Sequence, residues 1–272
     1  MRYAKHTPCA PLSEYVGCFW YWEGAPQTHT KERLLPNGEA SIVINLRDEP
    51  IRIYDAKDLN RYASNGVAAV SGARANCFVI DTRQQECVVG IQFRAGGAFP
   101  FFRIPQSELE GLSADLSDLW PGQALELRER LLTATDPGEM FRELERFLLR
   151  RLVASFDLHP AVGYALQQFH RSSYAGRIAE VTQEIGLSSR RFSELFQRQA
   201  GLTPKLFCRV RRFQRVLEVI HGKKEVDWAQ IALECGYYDQ PHFAHDFRAF
   251  SGLTPREYLD SATPHLNHVP LR

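Results

Sequence analysis

The chain has 272 residues, of which 44% are hydrophobic and 24% are charged, and its formal net charge is +1. This composition predicts a globular protein of two ordinary domains and excludes wholesale disorder. No apolar run approaches the roughly 18 residues that a membrane-spanning helix needs, and residues 1–6 lack the apolar segment of a secretory signal. Six scattered cysteines without a C-x-x-C pair predict free thiols. We therefore expect a cytoplasmic protein without membrane association.

Charge is divided unequally along the chain. Residues 1–160 contain 18 basic and 21 acidic residues, a net charge of −3, whereas residues 161–272 contain 15 and 11, a net charge of +4. A basic C-terminal part is typical of a nucleic-acid-binding module joined to another domain.

The first hundred residues predict a β-rich domain. Residues 40–46 and 87–93 are rich in β-branched residues, and residues 36–38 suit a tight turn before the first of these runs. Shorter candidate strands lie at residues 15–22, 51–55, 67–71 and 78–81. Together they predict a small sandwich or barrel with antiparallel pairing, within a domain of residues 1–155.

Helical patterns follow residue 105. Residues 109–119 predict a short helix or turn, and residues 124–132 and 137–152 have helical spacing of apolar residues. Asp136 and Pro137 suit the N-cap and the first turn of the later helix. The overall fold class is α+β, because everything after residue 159 also reads as helical.

An internal repeat organises the C-terminal part, residues 160–262. Residues 179–186 and 229–236 match at an offset of fifty, and the tetrapeptide Gly-Leu-Thr-Pro recurs at 201–204 and 252–255 with two phenylalanines before each copy. Each unit contains a short helix, a glycine turn and a second helix, which is the helix-turn-helix layout. Residues 204–221 carry apolar residues at a 4-3-4-3 spacing and predict one long helix between the units.

The motifs of the two units together resemble the AraC/XylS family of bacterial transcription regulators. The first unit contributes Ala179, Gly186, Ser188, Phe192, Phe196, Gly201 and Pro204, and the second contributes Ile231, Gly236, Asp239, Phe243, Phe247, Gly252, Pro255 and Tyr258. The resemblance implies seven helices, with two recognition helices that enter adjacent major grooves of double-stranded promoter or operator DNA. It places the base-reading positions at Ser189, Arg190, Ser193, Glu194, Gln240, Pro241, His242 and His245.

Arginines on the helix faces turned away from the phenylalanines are candidate phosphate contacts. They are Arg191, Arg198, Arg209, Arg212 and Arg248. The alternative for each is an ordinary solvated helix face.

The N-terminal part resembles, less specifically, the sensing domains that this family joins to its DNA-binding unit, and the resemblance implies a cupin-like barrel. Its landmarks are residues 35–38, 71–72 and 93–97. Trp20, Trp22 and Phe93 are candidate contacts of an unknown small-molecule effector, although aromatic stripes also occur in cores. The resemblance implies a homodimer, with residues 124–132 and 137–152 as the candidate dimerisation helices.

Three other kinds of function find little support. His6, His29 and His159 include no H-x-H pair for a catalytic metal, and the cysteine spacing does not suit a zinc-held methyl acceptor. Gly96-Gly97 is not followed by a P-loop lysine pattern. We therefore expect no enzyme activity, no cofactor and no metal.

The sequence predicts a nucleoid-associated, effector-responsive transcription regulator with RNA polymerase as a candidate partner, and it leaves both activation and repression open. The competing class is a small-molecule-binding or catalytic β-barrel protein with a structural helical C-terminal domain.

Overall fold

A computed structural model describes residues 2–24, 29–152, 158–171, 177–223, 225–261 and 263–271. Two antiparallel β-sheets form its N-terminal part. Their strands are β1 (Arg2–His6), β2 (Val16–Glu23), β3 (Lys31–Leu34), β4 (Ser41–Asn45), β5 (Arg52–Tyr54), β6 (Tyr62–Ser64), β7 (Ala68–Ser71), β8 (Phe78–Asp81), β9 (Cys87–Phe93), β10 (Ser113–Asp115) and β11 (His268–Pro270).

Strand order is β1-β2-β9-β4-β7-β10 in the first sheet and β11-β3-β8-β5-β6 in the second. All the ladders between described strands are antiparallel, as the sequence predicts. The prediction missed β1, β3, β6, β10 and β11. These strands are three to five residues long and contain charged or small residues, so their sequences lack a hydrophobic alternation.

Side chains of the first sheet alternate between its two faces. One face packs against helices, and the other lines an internal cavity. Along β9, Val89, Ile91 and Phe93 are fully buried against helices, whereas Val88 and Gln92 face the space between the sheets. The helices of this layer are α1 (Phe99–Phe102), α2 (Leu116–Leu119), α3 (Gln123–Thr133) and α4 (Pro137–Arg151). The expected short helix or turn at 109–119 is β10 followed by α2.

The C-terminal part is helical, and its described residues form seven helices. They are α5 (Pro160–Arg171), α6 (Arg177–Ile185), α7 (Ser189–Ala200), α8 (Pro204–Ile220), α9 (Trp228–Glu234), α10 (Gln240–Ser251) and α11 (Pro255–Ser261). Ser188 caps α7 and Asp239 caps α10, and Gly201 and Gly252 end these two helices in the left-handed conformation. The predicted duplication is therefore a duplication of structure.

The turn at residues 36–38 joins the two parts of the molecule. Gly38 has φ +77°, and a Cβ atom there would lie 3.4–3.7 Å from side chains of Val210, Phe207 and Leu202. Gln214, which is buried on α8, donates a hydrogen bond to the carbonyl oxygen of Pro36 at 2.7 Å. The turn at residues 36–38 is thus part of the surface on which α8 packs. The domain boundary predicted at residue 155 falls within 153–157, which lie outside the described residues.

Glu39 directly follows this turn, and it makes the stability of the folded protein depend on pH. Burial raises the pKa of Glu39 from its ordinary 4.5 to about 7, although Arg211, a hydrogen bond from Gln92 and Arg94 act in the opposite direction. A raised folded-state pKa means that Glu39 contributes stability fully below about pH 4.5 and that this contribution is lost as the pH rises through about 7. Between about pH 4.5 and pH 7, we expect the unfolding temperature of Glu39→Gln to fall less than that of the wild type. Parallel pH profiles would contradict this.

Candidate DNA interface

The first recognition helix presents its first turns to solvent. Ser189, Arg190 and Arg191 are exposed at the start of α7, whereas Phe192 and Phe196 are buried on its inner face. The amphipathic pattern fixes this orientation, because only one face of α7 can pack against α5 and α8. Its polar N-terminal end is therefore available to an external partner.

Arg190 and Glu194 form an ion pair along this outer face. The Arg190 Nε atom lies 2.9 Å from Glu194 Oε1, one helical turn away, and the Arg190 side chain is 90% exposed. Such exposed pairs stabilise a helix little, so the guanidinium can exchange Glu194 for a base edge or a phosphate at low cost. Ser193 beside them is half-buried and Glu194 is exposed.

Further along α7, the helix contacts the N-terminal part. Gln197 donates a hydrogen bond to Glu110 Oε2 at 3.0 Å. Arg198 remains exposed at this end of the helix. The two ends of α7 thus have different surroundings, one solvent and the other the β-rich domain.

The second recognition helix has a similar exposed start. Gln240, Pro241 and His245 are exposed, and the main-chain N–H of His242 donates to the capping Asp239 at 2.8 Å. The His242 ring is half-buried with its edge toward Tyr237, at 5.4 Å between ring centroids. Arg248 is exposed two turns from the start of the helix. Pro241 offers no N–H, so polar contacts here fall to Gln240, His242 and His245.

Asp246 lies at the centre of a buried ion network that the sequence analysis missed. Its side chain is 2% exposed, and its carboxylate lies 2.6 Å from Arg209 and 3.5 Å from Arg212. Arg212 also donates to the carbonyl oxygen of Gly236 at 3.0 Å and stacks over the Tyr237 ring. The network connects α8 to the turn and recognition helix of the second unit. The sequence signal that could have revealed this network is the acidic residue Asp246, which lies between Phe243 and Phe247 on α10.

This network corrects two of the predicted phosphate contacts. Arg212 is 8% exposed and its guanidinium lies inside the domain beside Asp246, so it does not present its charge to DNA. Arg209 is 31% exposed and paired with Asp246, which largely neutralises it. The three other candidates, Arg191, Arg198 and Arg248, are exposed. Arg209 and Arg212 therefore connect α8 to α10, whereas the sequence analysis predicted that they contact phosphates.

A separate cavity of about 500 Å³ lies between the two sheets. Trp20 and Trp22 line it, as predicted. Phe93 does not: it points to the opposite face of the first sheet, where its ring packs against Phe101 and Phe102. The period-two alternation of β9 explains this, because Gln92 takes the cavity side. Within the described residues, no cluster of three or more metal-ligating side chains occurs.

Comparison with known proteins identifies the helical region. A family model described as a helix-turn-helix domain matches residues 181–261, and a domain of unknown function (DUF6597) matches residues 4–115. The arabinose operon regulatory protein of Escherichia coli is 26% identical over 136 residues, which are 47% of this chain and 46% of that protein. The HTH-type transcriptional regulator ArgR of Pseudomonas aeruginosa is 30% identical over 79 residues, which are 29% of this chain and 23% of that protein.

Residues 181–261 therefore form a helix-turn-helix domain of the AraC type. The chain spans less than half the length of the two relatives named above. Among solved structures, that of ToxT from Vibrio cholerae with a bound unsaturated fatty acid aligns with a TM-score of 0.48 and 10% identity, over 97% of this chain and 99% of that chain. The part of the chain that the structure describes contains no helix long and apolar enough to cross a membrane.

Arg190 should contribute to the sequence specificity of this helix-turn-helix domain. We expect Arg190→Ala to weaken binding to specific DNA about tenfold or more, with a much smaller effect on random duplex, because arginine can bridge two acceptors of a guanine edge. Titration of both duplexes at one salt concentration measures the difference. Arg191→Ala is the matched control, with equal expected losses on both duplexes. Equal losses for Arg190→Ala would instead assign Arg190 to the phosphates.

Proposed function

We propose that this chain is a sequence-specific, double-stranded DNA-binding regulator of transcription that responds to a small-molecule effector. The observation that carries the proposal is the pair of exposed recognition-helix starts on a duplicated unit. The unbroken helix α8 connects the two units, with Val210, Phe213 and Leu217 fully buried along it. Two such units on one rigid connection suit two major grooves of one duplex better than a purely structural role.

The base-reading set of the proposal remains the predicted one, namely Ser189, Arg190, Ser193, Glu194, Gln240, Pro241, His242 and His245. The phosphate set is reduced to Arg191, Arg198 and Arg248, which are the exposed members. We infer that the cavity lined by Trp20 and Trp22 receives the effector, since a pocket of this size whose wall combines aromatic and polar side chains suits a small ligand. The function is non-enzymatic in this proposal.

We also propose that the chain forms a homodimer. Leu125 and Leu132 lie seven residues apart on α3, hence on one face, and are 52% and 47% exposed. Two exposed leucines on one helix face support a subunit contact. Sedimentation of the full chain tests it, and a monomer at all concentrations would contradict it. We also infer a cytoplasmic, nucleoid-associated regulator that contacts RNA polymerase.

Electrophoretic mobility shift of the full chain on DNA from upstream of its own gene tests the central proposal. We expect a complex that survives an excess of random competitor DNA. The double variant Arg190→Ala with His245→Ala should lose this specific complex and keep the salt-sensitive, non-specific one. Equal competition by specific and random duplexes would contradict the proposal and favour a structural role for the helical domain.

A further inference from the structure

Residues 263–271, which we call the C-terminal segment, return from the helical domain to the β-rich domain. Strand β11 in this segment pairs antiparallel with β3, so that His268 lies opposite Leu34 and Val269 opposite Arg33. The main-chain N–H of Leu271 donates to the carbonyl oxygen of Lys31 at 3.0 Å. The segment thus forms the outer strand of the second sheet.

The same segment closes the cavity between the sheets. Thr263, Pro264, His265 and His268 belong to the cavity wall together with residues of both sheets. The His265 ring meets Trp22 edge-on, with 6.5 Å between ring centroids, and lies 6.3 Å from the Tyr3 ring. A ligand in the cavity would therefore contact residues that follow the second helix-turn-helix unit in the chain.

Contacts on the other side of the C-terminal segment connect it to the second helix-turn-helix unit. Tyr258 of α11 donates a hydrogen bond to the carbonyl oxygen of Leu266 at 2.9 Å, and Gln214 of α8 donates to Asn267 Oδ1 at 2.9 Å. Val269 is buried in the apolar core of the helical domain. One short segment thus joins the cavity wall to the helix between the two DNA-binding units and to the last helix of the second.

Among the described residues, the cavity wall contains the carboxylates of Glu32 and Glu86 and no lysine or arginine. One carboxylate oxygen of Glu32 lies 2.6 Å from His29 Nε2 and the other lies 2.9 Å from His268 Nδ1. Burial raises the pKa of Glu32, but the hydrogen bonds and charges of His268 and His29 outweigh this and hold it below its usual value. The carboxylate is therefore ionised at neutral pH, and two of its roughly four lone-pair positions remain for another donor.

Aromatic walls and a carboxylate together favour a positively charged ligand. The indole faces of Trp20 and Trp22 can attract a cation through their π-systems, and the remaining lone pairs of Glu32 can accept its hydrogen bonds. Gly90 opposite Trp20 has no side chain, and a Cβ there would lie 2.2 Å from the indole, so the ring lies directly on β9. A volume of about 500 Å³ suits a molecule with one ring and a short chain.

We propose that the cavity binds a small organic cation with an apolar body, and that the C-terminal segment is one wall of this site, so that ligand binding and docking of the second helix-turn-helix unit stabilise each other. The inference rests on the proposed effector response and names its ligand class and its connection to the DNA-binding domain. Because the segment contributes contacts to the ligand, the ligand binds more tightly when the segment is paired. By linkage, the ligand then favours the paired state by the same factor.

The ligand class is tested with three molecules of similar size and different charge. These are phenethylamine, 2-phenylethanol and 3-phenylpropanoate, which are cationic, neutral and anionic at neutral pH. We expect phenethylamine at up to millimolar concentration to change the tryptophan fluorescence of the full chain saturably and to raise its unfolding temperature. Glu32→Gln should weaken phenethylamine binding about tenfold and leave the weak binding of 2-phenylethanol unchanged. Equal or tighter binding of 3-phenylpropanoate, or no saturable change with phenethylamine, would overturn the cation class.

The role of the segment needs a second pair of variants. His265→Ala removes an exposed ring at the cavity without touching the β11 ladder, and we expect about a fivefold loss of phenethylamine affinity. His221→Ala, at the exposed end of α8 and away from the cavity, is the matched control and should bind as wild type. Hydrogen exchange of the amides in residues 263–271 should slow severalfold when phenethylamine saturates the full chain. Unchanged affinity in His265→Ala together with unchanged exchange would overturn the coupling.

These measurements use fluorescence and hydrogen exchange without DNA, so they are independent of the mobility-shift test. A chain that binds phenethylamine but no specific DNA would contradict the proposed function and retain the site. A chain that binds specific DNA but meets the overturning results above would retain the function and lose this inference.

Discussion

Replacing Asp246 with alanine is expected to lower the free energy of unfolding of the second helix-turn-helix unit by about 3–5 kcal/mol. The carboxylate is 2% exposed and lies within 3.5 Å of both Arg209 and Arg212. Removing it leaves the guanidinium of Arg212 buried beside α10 without its counter-charge. The unit should therefore loosen, and specific DNA binding should fall with it. Urea unfolding of the full chain, followed at Trp228 of α9, measures the effect.

Glu218→Ala is the control for this prediction. Glu218 pairs with Arg215 on the same helix α8 at 3.3 Å, but both side chains are largely exposed. Exposed pairs contribute little, so its stability should stay within about 1 kcal/mol of wild type. Equal small effects of Asp246→Ala and Glu218→Ala would show that the network does not hold the second unit to α8.

Insertion of five base pairs between the two contacted blocks of the operator should reduce specific affinity about a hundredfold or more, to near the non-specific level. Helix α8 runs unbroken for 17 residues, about 25 Å, and packs on both units. The two recognition helices should meet successive major grooves about 34 Å apart, and a half-turn insertion moves one block to the opposite face of the duplex. Footprinting on both templates measures this.

Phe213→Leu provides a protein control for the same experiment. Phe213 packs against Phe247 and Phe250, at 5.2 and 5.4 Å between ring centroids, and leucine keeps the apolar stripe. Binding to the unaltered site should stay largely intact. A single protected block on that site, or unchanged affinity after the insertion, would mean that only one unit reads DNA.

Local sequence patterns predicted most of the helical domain. The caps at Ser188 and Asp239, the glycine stops at Gly201 and Gly252 and the apolar stripe of α8 are each set by residues within a few positions of each other. The recurrence of the same signals fifty residues later reinforced them. The exposure of Arg190 and His245 follows from the same periodicity, since side chains opposite a buried face point to solvent.

Contacts between residues distant in sequence decided the rest. Whether Arg212 faced solvent or Asp246 depended on how α10 packs on α8, and both positions are compatible with the helical period. The side of the sheet taken by Phe93 depended on register, because one residue of shift exchanges the two faces of a strand. The pairing of β11 with β3 joins residues more than 230 positions apart through three residues each, and no local pattern encodes it. The sequence by itself determined the elements and the duplicated DNA-binding unit. Only tertiary packing decided which charges are free, because burial and counter-charges are supplied by other parts of the chain.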